Sequence, residues 1–120
     1  MPGISIHVVD VSRGVVAAGM QVELYVLTPA LTPARHLIAS GEISGSGVLP
    51  APALAARFER GAYEAVFQVA AWYRAQGVPL PQQPFLESVV YGFGVDDPAQ
   101  HYHLPFKCTP WGYSCFRGGN

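Results

Sequence analysis

At 120 residues, half of them hydrophobic and 12% charged, the chain has apolar material for a buried core, and one domain spanning residues 1–120 is expected. A net charge of −1 leaves no basic footprint for nucleic acid or an anionic membrane surface, and no run approaches the ~20 apolar residues of a membrane span. The opening Met-Pro-Gly-Ile-Ser has neither part of a secretion signal and the closing Gly-Gly-Asn is no peroxisomal address, so the cytoplasm is the expected location.

Gly3 to Asp10 (GISIHVVD) alternates, with Ile4, Ile6 and Val8 on one face and Ser5, His7 and Val9 on the other. A histidine opposite an aliphatic stripe is most often a half-exposed strand residue, and this strand alone says no more about His7. Val11 to Met20 reads as a connection punctuated by Gly14 and Gly19. Gln21 to Leu27 is a second alternating strand with Val22, Leu24 and Val26 inward. Thr28 to Pro33 holds two prolines and reads as a loop. Arg35 to Glu42 is a weaker strand candidate centred on His36-Leu37-Ile38, where His36 has no ionisable partner in register and reads as a surface residue.

Ser44 to Pro50 combines turn chemistry with a short strand through Val48, and Ala51 to Gly61 is a loop with one helical turn. Ala62 to Val69 alternates again, placing Tyr63, Ala65, Phe67 and Val69 on one face. Ala70 to Gln76 consists largely of helix formers and stops before Gly77. A proline-rich linker, Val78 to Pro84, leads to a strand over Phe85 to Val95, with Glu87, Val89, Tyr91, Phe93 and Val95 on one face. Asp96-Asp97-Pro98 then turns the chain. Seven or eight short strands with one helix predict an all-β sandwich.

The last stretch, His101 to Gly119, reads as two strands joined by the turn Thr109-Pro110-Trp111-Gly112. Alternation puts Tyr102, Leu104, Phe106 and Cys108 on a core stripe and His101, His103, Pro105 and Lys107 on the opposite face. That second face holds half the histidines of the chain and its only lysine. Cys108 and Cys115 flank the turn diagonally, a poor geometry for a disulfide, and read as small buried apolar residues. No CxxC, HExxH or spaced His/Cys set suggests zinc, and no cofactor is expected.

The run HYHLPFKCTPWGYSCFRGG resembles the terminal signature of the 5-hydroxyisourate hydrolases, transthyretin-related enzymes of urate breakdown, which typically reads HYHVPLLLSPYGYSTYRGS. His7-Val8-Val9-Asp10 is similar to the strand that opens that family, and the likeness extends from Ile4 to Gly118. It implies a transthyretin-like β-sandwich with one short helix, assembled as a homotetramer (a dimer of dimers) with the signature residues lining a channel for a small-molecule substrate. Position by position, it makes His7 and His103 catalytic. Val48 falls where the family carries a catalytic arginine, and Gly119, followed by Asn120, where it carries a terminal serine. A valine cannot stabilise an oxyanion.

Lys107 takes the place of a family leucine and by alternation should face the channel. It reads as an electrostatic replacement for the arginine, as a base or amine nucleophile, or as a side chain that only snorkels to solvent. His101, Val48, Ser114, Phe116, Arg117 and Gly119 complete the expected substrate-binding wall. Three functions stay open. The first is a diverged enzyme acting on a small carbonyl-rich ring, by ring-opening hydrolysis or by related lyase or isomerase chemistry. The second is a 5-hydroxyisourate hydrolase with Asn120 or Ser114 standing in. The third is a non-catalytic binder, as transthyretin is.

Overall fold

The computed structural model describes residues 2–29 and 34–119. Within them lie eight strands: β1 Gly3–Asp10, β2 Val15–Val16, β3 Gln21–Leu27, β4 Arg35–Glu42, β5 Gly61–Phe67, β6 Val89–Val95, β7 His101–Thr109 and β8 Gly112–Cys115. A 3-10 turn at Pro52–Ala55 and helix α1 at Val69–Ala75 complete the elements. The strands form two four-stranded sheets, ordered β2-β1-β7-β8 and β4-β3-β5-β6. β1 and β7 are parallel, which brings the two ends of the sequence together, and their register sets Ser5 beside His103 and His7 beside Pro105.

The core follows from the period-two alternation of the strands. Ile4, Ile6 and Val8 of β1 and Tyr102, Leu104, Phe106 and Cys108 of β7 are all buried, as are Val22 and Leu24 of β3 and Tyr63, Ala65 and Phe67 of β5. Phe67 and Phe106 stack across the two sheets with ring centroids 3.9 Å apart. The polar sides of β1 and β7 are thereby left on the outer face of their sheet.

Helix α1 buries Val69, Ala70, Trp72 and Tyr73, the one-sided spacing of an amphipathic helix. Its end is closed by two bonds, Gly77 N–H to the Arg74 carbonyl and Val78 N–H to the Tyr73 carbonyl, a Schellman arrangement. Tyr73 carries its hydroxyl to the buried Asp10 at the end of β1, donating to Oδ1 at 2.7 Å. Asp10 also accepts from the Ser12 backbone N–H and hydroxyl and from Arg13 Nε. Helix and site-bearing sheet are thus locked through one carboxylate.

Three sequence expectations change. The Val11–Met20 connection contains β2, whose Val15 and Val16 pair with Asp10 and Val9. The strand expected from Phe85 starts at Val89, and Phe85 is 77% exposed. Prolines 79, 81 and 84 remove ladder donors, and the Glu87 carbonyl is taken by the Ala70 N–H at the start of the helix. The short strand expected through Val48 is a single bridge to His7, whereas the strand expected over Arg35–Glu42 is present at those bounds, with His36 exposed on it. The loop expected over Thr28–Pro33 is described only as far as Pro29, and Asn120 also lies outside the described residues.

Candidate active site on the β1–β7 face

His7, His101 and His103 are half-buried on the outer face of the β2-β1-β7-β8 sheet, together with Ser5. Parallel pairing of β1 with β7 makes this cluster, because it lays the odd-numbered residues of both strands side by side. Ser5 Oγ lies 2.8 Å from His101 Nε2 and 2.6 Å from His103 Nδ1. Ser5 is the site residue that sequence reasoning passed over. Its signal was present, since it shares the alternating face with His7.

Backbone packs against both His7 and His103. The Ser44–Leu49 turn returns to β1, with Val8 N–H bonded to the Gly47 carbonyl, Leu49 N–H to the Ile6 carbonyl, and Val48 bridged to His7. A Cβ on Gly47 would stand 2.6 Å from His7 Nε2, at a backbone φ of +88°. At the other end, Gly118 N–H bonds to the His103 carbonyl at 2.7 Å. A Cβ on Gly118 would come within 2.8 Å of His103 Cδ2. Neither position has room for a side chain while its histidine stays where it is.

The remaining expected residues spread along the same wall. Val48 is exposed beside His7 and brings no charge to it. Lys107 is exposed, with Nζ 5.7 Å from the Phe116 ring centroid, and lies across the hairpin from Ser114. With Val11, Thr109, Gly112, Tyr113 and Ser114 it lines a shallow pocket of about 300 Å³. Lys107 stands four strand positions from His103, roughly 13 Å between their Cα atoms, so the two do not meet at one atom. Arg117 is engaged elsewhere: it stacks on Tyr102 with Cζ 4.0 Å from the ring centroid and donates to Gln100 Oε1 and the His101 carbonyl. Gly119 is exposed at the end of the wall.

Burial holds the His103 imidazole below the ordinary histidine pKa, and the neighbouring His7 and His101 push it the same way. Both effects disfavour the protonated imidazole, the direction a base at neutral pH needs. Burial pushes both thiols up to about 11, so Cys108 and Cys115 stay protonated; both are free. Among the described residues no group of three or more His, Cys, Asp or Glu is placed to hold a metal ion, and no helix is long and apolar enough to cross a membrane.

Residues 4–118 match the model of the HIUase/transthyretin family. The chain belongs to that family. Its fold is accordingly the transthyretin-like β-sandwich, with eight strands and one short helix among the described residues. The 5-hydroxyisourate hydrolase 2 of Rhizobium meliloti (strain 1021) is 40% identical over 113 residues, covering 93% of this chain and 92% of that protein. The 5-hydroxyisourate hydrolase of Pseudomonas aeruginosa is 35% identical over 119 residues, covering 98% and 92%. Among solved structures, the 5-hydroxyisourate hydrolase of Klebsiella pneumoniae has a TM-score of 0.78 at 25% identity, covering 99% of this chain and 100% of that one. An (S)-allantoin synthase has a TM-score of 0.86 at 31% identity, covering 98% of this chain and 43% of that one. The family member described here thus spans less than half of that synthase chain.

Proposed function

We propose that this chain is a diverged, ring-opening hydrolase of its family, acting on a small carbonyl-rich ring. The observation that carries the reading is that His7 and a half-buried His103 stand on one sheet face, where burial disfavours the charged form of His103. His103 takes a proton from water as the water oxygen bonds to a ring carbonyl carbon. His7 supplies a proton to the ring nitrogen as the carbon–nitrogen bond breaks. Val48 at the family's arginine position and Gly119 at its serine position direct the reading away from an unmodified site. Relatives named 5-hydroxyisourate hydrolase, matched over nine-tenths of their length, favour the second reading, in which 5-hydroxyisourate itself is the substrate.

The test is ultraviolet decay of freshly made 5-hydroxyisourate beside a panel of cyclic ureides and imides, with and without the protein. Catalysed opening of a panel ring but not of 5-hydroxyisourate supports the first reading; catalysed decay of 5-hydroxyisourate supports the second. Tight binding without any ring opening would overturn both in favour of a non-catalytic binder.

The same reading makes the protein a one-domain cytoplasmic homotetramer, a dimer of dimers whose channel is walled by the β1–β7 face. Sedimentation at micromolar concentration should give four times the 12.9 kDa chain mass, and a stable monomer would remove the channel from the argument. Lys107 is assigned to a part of the substrate remote from the reacting carbonyl. Lys107→Leu should therefore raise KM more than it lowers kcat, and Lys107→Arg should retain part of the affinity, since guanidinium keeps the charge. Unchanged kcat and KM in the leucine variant would return Lys107 to a solvent-facing side chain.

A further inference from the structure

Three polar groups stand in series behind His103. The Pro2 carbonyl oxygen is 3.5 Å from His101 Nδ1, His101 Nε2 is 2.8 Å from Ser5 Oγ, and Ser5 Oγ is 2.6 Å from His103 Nδ1. A hydroxyl has one proton to give, a neutral imidazole has one N–H and one bare nitrogen, and a carbonyl can only accept. With the Ser5 proton used inside the chain, those rules leave two ways to run it.

In the first, His101 donates from Nδ1 to Pro2, Ser5 donates to His101 Nε2, and His103 donates from Nδ1 to Ser5. In the second, His101 donates to Ser5 and Ser5 donates to His103, which turns the bare Nδ1 of His101 toward a carbonyl oxygen. That sets two acceptors against each other on a half-buried strand end. The Pro2 contact is long for a hydrogen bond, but its polarity has only one favourable sense. It selects the first arrangement.

We propose that Pro2, His101 and Ser5 form a one-directional hydrogen-bond chain that fixes the tautomer of His103, leaving its Nε2 bare to act as the base. Ser5 and His101 are positioning residues in this scheme. The alternative tautomer would present an N–H at Nε2 and make His103 a donor instead. The inference rests on the reading of His103 as base and adds what makes it one. A histidine that must accept a proton needs its other nitrogen held as a donor, because which nitrogen is protonated follows from the hydrogen bond the other makes. Here a serine shared between two histidines performs that task.

The experiment reads the tautomer directly, without any substrate. The full chain is labelled with ¹⁵N-histidine, and ring nitrogen shifts are recorded above the titration of His103, for wild type, Ser5→Ala, Ser5→Thr and His101→Phe. Wild type and Ser5→Thr should show His103 protonated at Nδ1, with Nε2 at the downfield position of a bare nitrogen. His101→Phe removes the acceptor of the Ser5 proton, so Ser5 turns to His103 and the protonated nitrogen switches to Nε2. In Ser5→Ala the Nδ1 preference should be lost. A wild-type His103 protonated at Nε2, or a His101→Phe variant that keeps the wild-type tautomer, would overturn the proposal. The ring-opening panel judges the functional reading separately, because the tautomer is measured whether or not any ring is opened. Where a ring is opened, Ser5→Ala should lower kcat tenfold or more with KM little changed, and Ser5→Thr should restore it.

Discussion

His103→Asn is expected to lower turnover of the ring substrate by about 10²–10⁴-fold, the usual range for removal of a general base. The melting temperature should barely move. His103 lies on the outer face of its sheet, not in the core between the two sheets. Its backbone bridge to Gly118 does not depend on the side chain. Asparagine has no nitrogen that can take a proton at neutral pH, so the chemical step fails while the wall of the site persists. Paired kinetics and thermal denaturation check the result. A loss of several kcal/mol of stability with ligand binding intact would make His103 a packing residue.

Asp10→Ala should produce the larger stability loss, about 3 kcal/mol, from hydrogen bonds to a buried charge and a buried hydroxyl left without its main partner. The carboxylate is fully buried, and among the described residues Tyr73 reaches no other acceptor closer than the Cys108 carbonyl at 3.4 Å. Arg13 is partly exposed and can return to water, which keeps the figure from being higher. For a chain of this size the melting temperature should fall by roughly 10 °C. Tyr73→Phe, which removes one donor and leaves the ion pair, should cost less.

The pH dependence has a definite sign. Burial raises the Asp10 carboxyl, but the bonds from Ser12, Arg13 and Tyr73 together outweigh it and leave its pKa below the ordinary value. A depressed folded value means the unfolded chain binds the proton more readily. The Asp10 contribution is therefore complete above about pH 4, the unfolded value, and is lost as pH falls through the folded one. His103 is depressed as well, so its share also declines with acid, starting higher, below about pH 6.5. Denaturant midpoints for wild type and Asp10→Ala should converge as pH drops below 4. A gap that stays constant to pH 2 would show that the carboxylate's charge has no part in the lock.

Much of the sandwich was legible because strand periodicity is a local property. Ile4-x-Ile6-x-Val8 and Tyr102-x-Leu104-x-Phe106-x-Cys108 each declare a buried side, and the histidines fall on the other side by elimination. Helix α1 was legible through its formers and its stop. The start of β6 was not, because a backbone carbonyl given to the helix, at Glu87, leaves no mark on the residue type.

The candidate site divides in the same way. Which residues face outward on β1 and on β7 was determined by the sequence itself, Ser5 included. That Ser5 would lie between His101 and His103, 96 and 98 residues away in the chain, was decided only by the parallel register of β1 on β7. Lys107 is the opposite case: its four-position distance from His103 lies along one strand and was already legible, while its lean on Phe116 comes from the β7–β8 hairpin. Alternation fixes a side chain's face with its nearest neighbours alone. Register between distant strands depends on how the two buried stripes fit across the whole core, and no short stretch of residues carries that information.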